Sequence, residues 1–354
     1  THHTYVIAAL ARDLDVICEK PLTTDDAKCR AILAAAAASK GKVTVTFNYR
    51  YAPVATTIRE RILAGDVGRV VNVNLDWCLD TYHGSSYFMR WNRRREQSGG
   101  LSVHKATHHF DLVQWWIDQK PVSVTACGGR HFYGSDGPRN PRRVDGRHCP
   151  TCPDRAACAY YMRWHADEYR GAPEAKVLDE HVSQLQTMSH YTNYSARCCI
   201  YDSEIDIEDN YGAVVEYDGG AVMSYSLTCS APYEGYRLAI TGLNGRIETH
   251  QVDAGVRSPF PPGRVNPILA MPIFGGFQEI HPSAAAGGHG GADPQLRDAL
   301  FLGRKGATPA DREAGLMDGV LSVLTGVALH RSVALGRPVR IAELLEGRGD
   351  AAMP

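Results

Sequence analysis

The rhythm of apolar and polar residues changes near residue 70. Before it, apolar positions at helical spacing alternate with short β-branched runs. Tyr5, Val6, Ala9 and Leu10 predict a helix over about 4–12, followed by a strand in "DVICE". "TTDDAKCRAILAAAAASKGK" predicts a second helix, with Thr23 or Thr24 as its cap, Asp25 and Asp26 at the positive end of its dipole, and Gly41 at its end. "VTVTFNYR" predicts a strand and "APVATTIRERILAGDVG" a helix stopped by glycine. Strands alternating with helices in this way predict βαβ units, here the second half of a doubly wound parallel sheet.

From Val70 onward the pattern turns to paired strands: "VVNVNLDWCLD", "VSVTACGGRHF", "NYGAVVEYDGGAVMSYSLTCS" and "YRLAITGLNGRIETH", with hairpin turns at "YDGGA" and "GLNGR". This predicts an α+β domain with a mostly antiparallel sheet. A helix from about Thr107 to Gln119 belongs to it, and "DREAGLMDGVLSVLTGVALHRSVALG" is a long helix ended by Gly336. Residues 134–190 read as a long excursion rich in Arg, Pro and Cys, and 252–295 as Gly/Pro-rich loop.

Composition adds bounds. A chain of 354 residues, 44% hydrophobic and 22% charged, has the make-up of a folded protein of two domains. A net charge of −1 gives no electrostatic case for nucleic acid or an anionic membrane as partner. No apolar run approaches the roughly 20 residues that span a bilayer. Most of the ten cysteines stand singly in apolar surroundings, as buried thiols do in a reducing compartment, so a cytoplasmic location is expected.

Candidate chemistry clusters at predicted strand ends, where open α/β sheets bind ligands. "EKP" (Glu19, Lys20, Pro21) ends one strand and "NYRYAP" (Asn48, Arg50) the next. A lysine there can hold a substrate hydroxyl or take its proton, although on three residues alone a surface turn is the plainer reading. "SGGLSVHKATHHFDLVQWW" brings His104, Lys105, His108 and His109 together. His104 and His108 share a face if the helix starts early. Lys105 stands where a zinc protease would have Glu, so proton transfer or substrate binding fits better than a metal. His109 reads as a helix-face neighbour.

Taken in order, "DVICEKPLTTDDAKC", "VTFNYRYAP", "AGDVGRV", "SGG…HKATHHFDLVQWW", "DIEDNYGAVVEYDGGAVMSYSL", "YRLAITGLNGRIE" and "DGVLSVLTGVALHRSVALGRPVRI" resemble the Gfo/Idh/MocA family of oxidoreductases, over nearly the whole chain. The resemblance implies a Rossmann domain (1–52) and a large open-sheet α/β domain (53–354) whose C-terminal helix returns to the Rossmann side. It implies NAD or NADP as cofactor, hydride transfer to or from a sugar, cyclitol or related polyol, and homo-oligomers. Lys20 inherits an active-site role, Glu19 and Pro21 line the nicotinamide ribose, and His3 stands near the cofactor. Counting back from Asp111, His108 matches the catalytic histidine. His104 falls where Asp is usual, in an "HKxTHHFD" branch, so Lys20 and His108 both remain candidates for the base.

No GxGxxG occurs in the chain, which starts without Met inside a helix pattern. The expectation is a chain lacking its first βαβ units and, with them, the pyrophosphate-binding turn, and therefore binding NAD(P) poorly or not at all.

"CPTCPDRAAC" offers Cys149, Cys152 and Cys158 as thiolate ligands, and "RCCIYDSEIDIEDN" offers Cys199 as a fourth, with Cys198 or His148 as alternates. Structural zinc is expected over free thiols, a disulfide or an iron–sulfur cluster. Arg90 and Trp91 are assigned to the substrate pocket, because Arg can bridge hydroxyls or a carboxylate and Trp can stack on a sugar. His289, in "GGHGGADP", is a loop candidate for the same pocket. Two rivals stand beside a dehydrogenase: a redox-neutral NAD-dependent glycoside hydrolase or lyase, and a non-catalytic sugar-binding or assembly protein.

Overall fold

A computed structural model describes residues 2–81, 83–142, 144–147, 152–163, 198–254, 266–283, 288–303, 308 and 310–348. The N-terminal unit consists of α1 (His2–Leu10), β1 (Val16–Cys18), α2 (Asp26–Ala37) and β2 (Val43–Val45), with β1 and β2 parallel as the alternation requires. Asp25, not Thr23 or Thr24, caps α2, its carboxylate accepting from the Lys28 N–H at 2.8 Å. The expected strand at "VTVTFNYR" stops at Val45, and Asn48–Tyr51 form a 3₁₀ turn before α3 (Pro53–Leu63). Pro53 opens α3 because its missing N–H would be unpaired there in any case.

The rest of the chain builds β3 (Val70–Asp80), α4 (His83–Met89), α5 (Arg95–Ser98), α6 (Leu101–His104), α7 (Thr107–Ile117), β4 (Pro121–Gly129), α8 (Ala159–Arg163), β5 (Asn210–Tyr217), β6 (Val222–Ala231), β7 (Glu234–Gly242), β8 (Gly245–Ala254), β9 (Ile268–Pro272), β10 (Gln278–Ile280), α9 (Gly288–Leu302), α10 (Leu316–Leu335), β11 (Val339–Arg340) and α11 (Ile341–Leu345). The large sheet runs β10-β9-β8-β7-β3-β6-β5-β4-β11. It is mixed: β3 and β6 are parallel and the other pairs antiparallel. Burial alternates strictly along β5 and nearly so along β6, so one face of the sheet is core and the other faces outward.

Two helices fill the covered face. Every residue of α7 is buried, including its polar ones, so it is a core helix rather than the amphipathic edge its histidines suggest. α10 packs on β4 and α7 and ends, as expected, on Gly336 at φ 62°. A Cβ at Gly326 would lie 2.2 Å from the Ser102 carbonyl, so glycine is what lets α10 approach the site segment. The same helix touches the N-terminal unit: the Arg331 guanidinium donates to Asp26 at 2.7 Å, buried.

One loop assignment needs correction. Within 252–295 the chain extends β8 to Ala254, forms the β9–β10 hairpin and begins α9. Its alternation is too short, and too interrupted by Gly and Pro, to show as period 2. Residues 164–190 of the expected excursion lie outside the described residues. Among the described residues no helix is long and apolar enough to cross a membrane.

Candidate active site

Lys20 leaves the carboxyl end of β1 in the turn that α2 follows. Glu19 beside it accepts from Thr46 Oγ1 at 3.0 Å, tying the turn to β2. His2, which the sequence did not single out, reaches the Pro21 carbonyl with Nδ1 at 2.9 Å. Gly99 and Gly100 adopt φ of 76° and 78°, and a Cβ on Gly99 would stand 2.7 Å from the Thr24 carbonyl. That approach, open to glycine, brings the segment carrying His104 and Lys105 against the loop after Lys20.

The expected single helix is broken. α6 ends at His104, and Lys105 and Ala106 form a turn before α7. His104 therefore points elsewhere than His108. Its Nε2 lies 3.1 Å from Asn92 Nδ2, and its ring meets Tyr87 and Trp91 edge-on at 5.7 and 5.5 Å. His108 stacks on Tyr49 at 4.4 Å, and Tyr49 on Trp77 at 5.9 Å. Trp77 continues the stack to His109 at 3.9 Å and to Tyr236 at 4.5 Å. His109 is not an edge neighbour. It is fully buried, with Nδ1 2.8 Å from the Tyr225 hydroxyl, and serves the core.

Lys105 is buried under this aromatic wall, 3.7 Å from Glu234, whose carboxylate also takes His83 Nδ1 at 2.9 Å. Tyr49, Trp77, Tyr87, His83 and Glu234 all escaped the sequence reading. They come from four separate segments, His83 and Tyr87 sharing α4, that register and packing alone assemble, although "LDWCLD" at a strand end was a signal for Trp77.

The electrostatics follow from burial and from two amines sharing a site. Burial, and then the Lys105 charge, lower the Lys20 ammonium to about 8. Burial and the same two lysines hold His104 and His108 well below the usual imidazole range, so both are neutral at pH 7. Burial pushes the Glu234 carboxyl up, but His83 and Lys105 outweigh it and keep Glu234 ionised.

The other candidates divide. His289 joins the site, its ring 5.5 Å from Tyr49 and its Nδ1 3.0 Å from Asp293, which also accepts from Asn48 Nδ2 at 2.7 Å. Trp91 lies against His104. Arg90 donates to the Ser86 carbonyl and hydroxyl at 2.9 and 3.0 Å. Arg50 is a correction. It is 2% exposed, gripped in bidentate fashion by Asp111 at 2.6 and 2.8 Å, and bound to Asp318 and the Glu313 carbonyl. Its donors face the core, and it braces α7 against α10 rather than holding substrate.

The zinc expectation also changes. Cys152, Cys158 and Cys199 line one small cavity of about 20 Å³ with Tyr161 and Tyr201. Among the described residues, no group of three His, Cys, Asp or Glu side chains is arranged to hold a metal ion. Cys149 and His148 lie outside the described residues, so the described thiols do not by themselves fit zinc.

For a dinucleotide, the residues present fit its nicotinamide end. His3 Nδ1 and Thr23 Oγ1 are buried without a protein partner among the described residues, as ribose or amide contacts would require. His3, Glu19, Lys20 and Pro21 would hold that end.

Comparison with known proteins bears on family and fold. Residues 1–47 match the NAD-binding Rossmann fold of an oxidoreductase family and 59–341 match its C-terminal α/β domain. The YteT protein of Bacillus subtilis (strain 168) is 47% identical over 348 residues, covering 98% of this chain and 80% of that protein. Inositol 2-dehydrogenase of Rhizobium meliloti (strain 1021) is 32% identical over 111 residues, 31% of this chain and 32% of its own length. A solved levoglucosan dehydrogenase, in complex with NADH and levoglucosan, superposes with a TM-score of 0.62 over 96% of this chain and 77% of that one, at 17% identity. The fold is a Rossmann-like domain joined to an α/β domain with a large mixed sheet, the fold of an enzyme, and the chain belongs to the Gfo/Idh/MocA family of oxidoreductases.

Proposed function

We propose that the protein catalyses NAD(P)-dependent oxidation of a sugar, cyclitol or related polyol, or the reverse reduction, with Lys20 exchanging the proton of the reacting hydroxyl. One observation carries this reading: an amine at a strand's carboxyl end, lowered to about 8, stands with two neutral histidines beside Glu19 and Pro21. When bound, the nicotinamide supplies the two-electron acceptor or donor. Near neutral pH a useful fraction of Lys20 is the free amine, and in that form it can take a hydroxyl proton. His108 gives the same hydroxyl a neutral hydrogen-bonding partner, fixed in place by Tyr49. Asn48 and His289, joined through Asp293, close the side of the pocket nearest α9.

The test is NADH formation, measured by absorbance, over a panel of aldoses, cyclitols and glycosides. Net NADH with a ketone or lactone product supports the reading. Glycoside cleavage without net NADH would support a redox-neutral hydrolase or lyase instead.

Two further expectations join the proposal. Cys18, Cys29, Cys127, Cys152, Cys158, Cys199 and Cys229 are free thiols, which supports a reducing compartment such as the cytoplasm. The outward face of the sheet supports self-association with a second copy. It exposes Val122, Val214 and Val222, forms a depression of about 890 Å³, and mixes Asp76 and Glu248 with Arg237, a pattern able to complement itself. Light scattering of the purified protein tests this.

A further inference from the structure

We propose that the substrate carries a carboxylate, as a uronic or aldonic acid does, and that Arg90 and His104 receive it. This rests on the dehydrogenase reading and narrows it. Four arginines follow closely along the chain, and three have acidic partners. Arg93 meets Asp202 and Glu204 at 3.2 and 3.3 Å. Arg94 meets Asp206 at 3.4 Å and Arg95 meets Glu208 at 2.5 Å. Arg90 has no carboxylate within ion-pair distance among the described residues. Its Nε and Nη2 donate to Ser86, its guanidinium stands 5.9 Å from the Tyr87 ring, and its Nη1 has no described partner. A partly desolvated guanidinium without a counter-ion is costly for a pocket that takes neutral hydroxyls, and complementary for one that takes an anion.

His104 points the same way. It packs against Tyr87, the ring that Arg90 covers, and against Trp91. Its Nε2 lies 3.1 Å from Asn92 Nδ2, and its Nδ1 is buried without a protein partner among the described residues; with the amide donating to Nε2, Nδ1 carries the proton. A ligand oxygen would accept it. Around these groups the charge is positive by one: Lys20, Arg90 and Lys105 against Glu19, beside Lys20, and Glu234, which is already shared between Lys105 and His83. A substrate carboxylate restores the balance.

The experiment is calorimetry and steady-state turnover of the full chain with NAD, using D-glucuronate and D-galacturonate, their methyl esters, and D-glucose and D-galactose. The acids are expected to bind about 10–100-fold more tightly than their esters or neutral counterparts, the range of one charge-assisted bidentate contact. Arg90→Gln should remove that preference and Arg90→Lys should keep part of it, with circular dichroism confirming folded variants. Equal binding of acid, ester and neutral sugar by the wild type overturns the carboxylate assignment and leaves the dehydrogenase reading standing, as does an acid preference that survives Arg90→Gln. Failure of every sugar to yield NADH, with polyols also inert and NAD shown bound by calorimetry, overturns the dehydrogenase reading itself.

Discussion

Lys105 holds its ammonium 3.7 Å from Glu234 while standing 5.7 Å from the rings of both Tyr49 and Trp77. The carboxylate offsets the cost of burying the charge, and the aromatic faces add cation–π attraction. The buried cation is in turn a fixed positive charge beside Lys20. Together these make Lys105 a positioning residue that acts on its neighbour through the field.

Lys105→Met tests that role. Removing the like charge lets the Lys20 ammonium form more readily, so its pKa rises above about 8. Oxidation needs the free amine, so the rising limb of kcat/KM against pH should move to higher pH, while the limb of the wild type lies near 8. Glu234 keeps His83 at 2.9 Å as a partner, which limits the structural cost. An unmoved limb would sink the coupling.

Lys20→Ala and His108→Ala should each lower kcat by about 10²–10⁴-fold, the usual worth of a positioned proton-transfer group. The two differ in pH response. Without Lys20 the limb near 8 should vanish, whereas without His108 it should persist at reduced height. Near-normal rates in both variants would refute the assignment.

The sequence carried the architecture because it is local. Gly336 after an apolar helix, hairpins at "YDGGA" and "GLNGR", and a strand–lysine–proline turn are all short-range signals, and the structure forms each of them. What it hid is non-local. Glu234 opens β7, and nothing near it announces Lys105, more than a hundred residues earlier. Asn48–Tyr51 looked like a strand end because apolar alternation runs into it, but the chain turns there so that Tyr49 can stack on His108. His109 looked polar and is core, held by its stack on Trp77 and by the Tyr225 hydroxyl on Nδ1, while its Nε2 has no partner among the described residues.

Arg50 gives a stability prediction in place of the binding role first expected. Its guanidinium joins Asp111 of α7 to Asp318, which also caps α10 through the Gly315 N–H at 2.8 Å. Arg50→Met leaves Asp111 buried without its cation and should cost about 3–5 kcal/mol in urea unfolding. At a temperature where the variant is folded, KM for substrate should change little. A large rise in KM with unchanged stability would return Arg50 to the pocket.

His109 predicts how the fold responds to acid. Burial, with Lys105 and Lys20 nearby, holds its folded pKa well below 6.5. Below pH 6.5 the unfolded chain takes up a proton that the folded one refuses, so its contribution to stability is present above that pH and lost as pH falls beneath it. The slope is about 1.4 kcal/mol per pH unit for each such imidazole. His109→Phe removes the titrating group while preserving the stack on Trp77, so the loss of stability between pH 6.5 and pH 5 should become shallower. At pH 7.5 the same variant strands the Tyr225 hydroxyl and should be weaker by about 1–3 kcal/mol. Adding Tyr225→Phe should recover part of that loss without restoring the acid slope. Urea midpoints across pH for the three proteins separate the two effects; His104 and His108 leave a residual slope, and an acid slope undiminished in His109→Phe would show that His109 takes no part in it.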